Sequence, residues 1–533
     1  MGILIQFIDY AEDKNLYGYS LLCTTIALLF LGLFLLWVKE WSIHSPTKLP
    51  IVGIESQGYF ALLRARRKFV SDGFRIVRDA YYKYRGKSFV ITTNSYYKVV
   101  LTHNQVKELS NAPDDTVSFV HASAETMMAE YTGLSQFSVD KYIPDVLRAK
   151  LTQNLGSMKE ALLDETRFAL SSEIPGSATD DEWVPVEIFT AVHRIIARIN
   201  GRIFIGLPLC RNEDWLTMSI TFTGVVFRAI EKLAGVPKLI RPLYSYTRNL
   251  VKDINWHKRK ARSLLDPIIH KRLEEESLAE ENGAVYRKHN DVLQWFTDHV
   301  MPEHRTVEAL TEMQLHLSMA SVHTTTLYFL NAILDLAEHQ ECIQPIREEM
   351  EAVISANGGA LDRTALRKMR KTDSFFREAM RGKFALFTFN RKVMKNLTLS
   401  DGTYFPKGTL LAAPSAMLST DPEFVEDPET FDGFRWYKRS LEVKDSGAEK
   451  NNWGTTASYD LTFGHGKHAC PGRYYATEEM KLMLTFILLQ YDIKYPEGQS
   501  RPVNFDRGEY SYPNRAQKLL FRKLPGKKKF PFL

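Results

Sequence analysis

Cysteine is scarce. The 533 residues carry four, Cys23, Cys210, Cys342 and Cys470, far apart in the chain. No two share the short spacing of a metal-binding pair, and four scattered thiols make no disulfide framework, so the chain reads as a protein of a reducing compartment. One-sided charge is missing too. With 69 Lys and Arg against 63 Asp and Glu the net charge is +6, and without a basic stripe no nucleic-acid partner is expected. Such mild basicity suits an acidic electron-donor protein or an anionic membrane surface. There are no internal repeats and no glycine-rich nicotinamide or flavin fingerprint. Hydrophobic residues at 44% and charged residues at 25% are ordinary for a globular protein.

Long uncharged runs are few, and one lies near the N-terminus. No charged residue lies between Lys14 and Lys39, and residues 15–38 are long and apolar enough to be read as a single transmembrane helix. Tyr17, Tyr19, Trp37 and Trp41 stand near its ends, where amphipathic rings favour the membrane interface. Asp9, Glu12 and Asp13 precede it, whereas Lys39, Lys48, Arg64, Arg66, Arg67 and Lys68 follow. This bias assigns residues 1–14 to the lumen and the body to the cytosol. A cleaved signal peptide would need a basic flank, a shorter run and a small-residue cleavage site. Residues 39–53, with Pro46, Pro50 and Gly53, read as a hinge. Length alone suggests several domains, but chemistry-bearing residues spread from Arg148 to Cys470 must converge, so 54–533 is taken as one catalytic domain. The sequon Asn396-Leu397-Thr398 goes unused in a cytosolic body.

Periodicity predicts an amphipathic helix over 70–85 stopped by Gly86, and a hairpin of Ser88–Thr92 with Tyr97–Leu101. From residue 145 the pattern is mostly helical, punctuated at Pro185, Gly201, Gly206, Pro208 and Gly235. Strands are expected around Lys392–Leu399, Thr409–Ala413 and Lys518–Phe521, and a helix apolar on nearly every side over Thr306–Glu338. Asp445–Asn452 reads as a polar loop, and Lys527–Lys529 as a solvated tail.

One cysteine has a setting of its own. In Phe463-Gly464-His465-Gly466-Lys467-His468-Ala469-Cys470-Pro471-Gly472-Arg473 a lone thiol sits between glycines, beside basic residues and ahead of a helical pattern. The glycines let the backbone approach a flat macrocycle that a Cβ would obstruct. Lys467, His468, Arg473 and the helix N-terminus are expected to lower the thiol's pKa so that it ligates iron as thiolate. A thiolate ligand pushes electron density onto haem iron and favours O–O cleavage. For Cys-Pro-Gly taken alone, a free cysteine in an ordinary turn is the plain alternative.

This loop resembles that of the cytochrome P450 family, Phe-x-x-Gly-x-(Arg/His)-x-Cys-x-Gly, with Phe463, Gly466, His468, Cys470 and Gly472 in its places. The resemblance implies a mainly α fold with small β-sheets, and haem b held by Cys470 as the metal ligand with Phe463, His468 and Gly472 about it. It also implies O2 as cosubstrate, and electrons from NADPH through NADPH-cytochrome P450 reductase with cytochrome b5 as a second donor. The site of action would be the endoplasmic reticulum membrane.

Glu378 and Arg381, three residues apart, alone would be a weak surface pair. The resemblance makes Arg435, in Pro428–Trp436, the third member of a Glu-Arg-Arg network that holds the cysteine loop, with Gly433 where many members have glutamate. Arg391 and Arg148 resemble the arginines that pair with haem propionates. Pro144 replaces the Trp or His expected before Arg148, and a solvated basic helix face is its rival reading.

Ala320-Ser321-Val322-His323-Thr324-Thr325 resembles the distal motif Ala-(Ala/Gly)-x-(Asp/Glu)-Thr-Thr. Thr324 would be the alcohol that manages protons for dioxygen, although a threonine within a helix often only back-bonds to the preceding turn. His323 replaces the acid and is expected to relay protons because an imidazole titrates near neutrality. His-Thr-Thr resembles filamentous-fungal members of secondary metabolism that oxidise terpenoids and gibberellin-like diterpenes. The expected function is hydroxylation or further oxidation of a bulky apolar molecule of that class. Val117–Met128, Phe222–Phe227, Ala320, Thr324 and Ala385–Phe389 are candidate pocket walls. Two other readings stand beside it: an isomerase or dehydratase of the same fold without oxygen insertion, and a membrane-tethered haem or lipid binding protein without turnover.

Overall fold

The architecture is built around a helix of 32 residues, Val307–Glu338, that begins where the Thr306 hydroxyl accepts the Ala309 amide at 3.2 Å. Its apolar residues face every direction, and from Leu310 to Ala337 most are buried. The helices Ile188–Phe204, Glu213–Ala234, Lys252–Glu281 and Arg370–Met380 pack round it. Two of its buried polar residues are well partnered: Asp335 receives Lys383 at 2.5 Å and Arg501 at 2.9 Å, and Asn331 accepts from Arg501 at 2.8 Å. Within this buried helix one stretch is open. Ala320 is exposed, and Ser321, His323 and Thr324 are partly so, which marks an interior space beside the middle of the rod.

The computed structural model describes residues 22–29, 31–32, 45, 47–55, 60–134, 142–175, 182–383, 385–442, 452–525 and 530–533. The segment 15–38 falls largely outside these. Within it Leu22, Ile26, Leu28, Leu29 and Leu31 are exposed on a helical stretch. Among the described residues no helix is long and apolar enough to cross a membrane. Residues 39–44 and 46 of the hinge, most of the loop 445–452 and the lysines 527–529 also lie outside the described residues.

Six strands form the larger sheet, in the order Ile51–Val52, Phe89–Thr92, Tyr97–Val100, Leu410–Ala413, Thr388–Val393, Val117–Ser118. The hairpin Phe89–Thr92 with Tyr97–Val100 is antiparallel, as the sequence predicts. The predicted strand 392–399 is two, Thr388–Val393 and Leu397–Thr398. The register between Thr388 and Arg391 is irregular, and Phe389 takes a φ of 54°. A smaller sheet orders Tyr491–Lys494, Lys518–Lys523 and Val184–Glu187. Pro185, read above as punctuation, lies within that last strand because an edge strand tolerates a missing N–H. The helix expected over 70–85 begins at Ala61. Its first turns carry Arg64, Arg66, Arg67 and Lys68, which obscure the buried stripe Ala61, Leu62, Ala65 and Phe69.

Candidate active site

The cysteine loop is closed by its own backbone. The Cys470 amide donates to Phe463 O at 2.8 Å, Gly464 to Leu461 O at 2.9 Å and Ala469 to Gly466 O at 3.0 Å. Gly466 has a φ of +73°, and a Cβ there would stand 2.1 Å from the Ser110 carbonyl oxygen. That same oxygen accepts the Lys467 amide at 2.9 Å. Gly472 opens the helix Arg473–Gln490, and a Cβ on it would meet only Cys470 Sγ, at 4.0 Å.

Cys470 lies deep in the protein yet keeps partial accessibility, so it borders an internal space. Burial pushes its thiol up, and the Gly472 amide, the Arg473 guanidinium and the Arg473 amide pull it back only in part. The expectation that the loop's own cations make a thiolate is therefore corrected. Lys467 and His468 are drawn to Asp114 instead, Nζ at 3.0 Å and Nε2 at 2.6 Å, and Arg473 spends Nη1 on the Cys470 carbonyl at 2.9 Å. Cys470 would hold a metal cation as its thiolate, since coordination itself deprotonates a thiol.

Arg391 is buried beside the Phe389 ring at 4.0 Å and the Phe119 ring at 5.8 Å. Nη1 donates to Asn390 O at 2.9 Å, while buried Nη2 has no hydrogen-bond partner. Burial pushes this guanidinium down to about 10 against the pull of Asp114. A buried cation with a vacant donor is complementary to a carboxylate. Arg148 lies in a π-helical turn, Leu147–Leu151, exposed to solvent, with Nη2 on Lys467 O at 3.2 Å and Nη1 on Asp145 at 3.3 Å. It touches the cysteine loop from outside.

Glu378, Arg381 and Arg435 do come together. Arg381 Nη2 is 2.7 Å and Arg435 Nε 3.2 Å from a carboxylate with no exposed area. The remaining guanidinium donors go to main-chain carbonyls: Arg381 to Pro428 at 2.5 Å, Arg435 to Thr430 at 2.6 Å and to Glu426. The carbonyl partners of the trio thus fix the segment 426–432, and other side chains reach the cysteine loop. Arg377 Nε meets Asp460 at 2.8 Å, and Trp453 stacks on Phe376 at 4.9 Å and lies 5.4 Å from Phe463. Arg377, Asp460, Trp453 and Asp114 were not singled out from the sequence. The fully buried Trp453 was the one signal available, as a tryptophan just ahead of a cysteine motif. Gly433 replaces glutamate for a steric reason, since its Cβ would lie 2.8 Å from Cys342 Sγ and 3.1 Å from Phe375.

On the central helix, the Thr324 hydroxyl donates to Ala320 O at 2.7 Å and Ser321 O at 3.2 Å, which leaves its lone pairs as acceptors. His323 turns towards neighbouring helices: Nε2 is 2.9 Å from Ile220 O, and its ring meets His193 edge-on at 4.5 Å. Burial lowers its pKa, partly offset by the Ile220 carbonyl. The shift is towards the neutral imidazole, whose proton is held on Nε2 by an oxygen that only accepts. One turn on, the Tyr328 hydroxyl donates to Thr462 O at 3.0 Å and ties the rod to the cysteine segment. Of the candidate walls, Leu386, Phe387 and Phe389 are closed in the core, as are Phe222, Val225 and Val226. Phe119 and Phe227 keep open faces.

The profile of the family Cytochrome P450 matches residues 62–521. The chain is a cytochrome P450. Its relatives include a cytochrome P450 monooxygenase of Emericella nidulans, 37% identical over 86% of this chain and 84% of the relative. Another is an ent-kaurene oxidase of Gibberella intermedia, 32% identical over 91% of each chain. Among solved structures, retinoic acid-bound cyanobacterial CYP120A1 superposes with a TM-score of 0.65 at 17% identity, covering 86% of this P450 and 96% of that chain. Membership implies a haem and the use of O2, and the residues fit such a cofactor. Cys470 would hold its iron, the vacant Arg391 donor would take a carboxylate of the macrocycle, and the Gly466 turn has no room for a side chain. A thiolate-ligated haem supplies activation of dioxygen.

Proposed function

We propose that this P450 is a membrane-anchored monooxygenase that hydroxylates or further oxidises a bulky apolar terpenoid of fungal secondary metabolism. Electrons reach it from NADPH through a separate reductase. The observation that carries the reading is the single open stretch, Ala320 to Thr324, in an otherwise buried helix that Tyr328 ties to the loop of Cys470. Cys470 would hold the cofactor. Small residues at 320 and 321 leave room for a substrate, Thr324 offers an acceptor, and His323 holds its proton at Nε2 on Ile220 O. The likeness to an ent-kaurene oxidase supports the terpenoid class. The uncharged segment 15–38 supports a single-pass anchor in the endoplasmic reticulum, N-terminus lumenal.

The test is expression with a fungal reductase and a panel of cyclic diterpene and sesquiterpene hydrocarbons. NADPH and O2 consumed in step with oxygenated product support the reading, and turnover of none of the panel overturns the terpenoid assignment. A red-shifted Soret band of the ferrous carbonyl, lost in Cys470→Ala, is expected for the thiolate ligand. The placement of His323 on Ile220 O and the spent donor of Thr324 favour a second reading, an isomerase or dehydratase of the same fold. Rearranged product formed without NADPH would select it.

A further inference from the structure

The cysteine loop is gripped by the segment Ser110–Phe119, of which only Val117–Phe119 carries an expected role, as pocket wall. Gly466 packs against the Ser110 carbonyl so closely that no side chain fits, and that carbonyl accepts the Lys467 amide at 2.9 Å. Four residues on, the Asp114 carboxylate reaches both neighbouring side chains of the loop, Oδ1 to His468 Nε2 at 2.6 Å and Oδ2 to Lys467 Nζ at 3.0 Å. Phe119 closes the segment, its ring 5.8 Å from the His468 ring and 5.8 Å from the Arg391 guanidinium. A carboxylate oxygen only accepts, so Nε2 carries the shared proton and is spent on Asp114. Arg391 keeps a vacant donor while His468 gives this one away. The two side chains that the family resemblance would turn towards the cofactor therefore divide: Arg391 is free for an anion, and His468 serves the loop.

We propose that Asp114 is a positioning residue. By fixing the His468 ring and the Lys467 ammonium it holds the turn that presents Cys470, and it acts on the metal ligand through those side chains without touching the cofactor. The inference rests on the haem-thiolate reading of Cys470. A charge-assisted bond at 2.6 Å between side chains 354 residues apart in sequence fixes a loop more firmly than the backbone turn alone.

The test uses the full-length holoenzyme and two readouts other than turnover. One is the rate at which the red-shifted carbonyl Soret band gives way to the unshifted band on mild warming; the other is haem transfer to apomyoglobin. Asp114→Ala is expected to speed both about tenfold, the effect of losing one charge-assisted bond. Asp114→Asn keeps an oxygen for Nε2 and is expected to restore both to within about threefold of the parent. His468→Phe removes the other partner and should match Asp114→Ala, so the contact is read even if one variant fails to accumulate. Adding Asp114→Ala to His468→Phe should bring little further change. Unchanged rates in Asp114→Ala and His468→Phe, or full additivity of the two, overturn the proposal alone. Absence of the red-shifted band from the parent overturns the haem-thiolate reading and this proposal with it.

Discussion

Gly466 and Gly472 hold similar places in the cysteine motif and differ in what a methyl group would meet. At Gly466 a Cβ lands 2.1 Å from a backbone oxygen on a left-handed backbone; at Gly472 it finds only sulfur at 4.0 Å. Gly466→Ala is expected to cost at least about 2 kcal/mol and to lose most of the red-shifted carbonyl band. Gly472→Ala should keep both the band and the thermal midpoint, since its neighbour is at ordinary contact distance. On the opposite side, His323→Ala should leave haem content unchanged while more NADPH ends as peroxide. Because burial lowers the pKa of His323, any inflection of coupling with pH should fall below that of free imidazole, and a step at or above that pH would refute the relay. What was legible at this scale was whatever the chain keeps local. Phe463, Cys470, Glu378 and Arg381 sit at fixed spacings, whereas Asp114 and Asp460 act on partners 354 and 83 residues away and leave no local pattern.

The helices carry their own consequences. Arg377 and Asp460 form a largely buried pair that ties the helix Arg370–Met380 to the approach of the cysteine loop. Replacing either residue by alanine strands the other charge and should cost about 3–5 kcal/mol. The double variant should recover part of that loss in a denaturant double-mutant cycle. Two helices also bury imidazoles: His193 and His316 are pushed by burial down to about 3. The folded protein then refuses protons that the unfolded chain accepts, so stability falls as pH drops from about 6.5 towards 3 and is unaffected above that window. His193→Phe removes one such site. Its stability should fall less steeply between about pH 5 and 6.5, by about 1.4 kcal/mol per pH unit, in urea titrations at a series of pH values. The central helix was readable because its apolar run is long. The strand at Pro185 and the start at Ala61 were not, since an edge position and a run of arginines mask the buried face.

For the molecule as a whole, the anchor proposed at 15–38 would make membrane attachment separable from chemistry. Removing residues 1–38 should release the protein from membranes in carbonate extraction while the carbonyl spectrum stays unchanged. Retention after truncation would place attachment elsewhere, and the exposed Leu239, Ile240, Leu243 and Tyr246 would be the next residues to alter. One bond spans the two halves of the interior. Tyr328 stands on the rod that forms the roof over the open stretch, and its hydroxyl rests on the carbonyl of Thr462, at the edge of the floor that carries the sulfur. Roof and floor are thus braced together, and a guest that lifts one must lean on the other: the fit of a substrate above is felt mechanically at the ligand below.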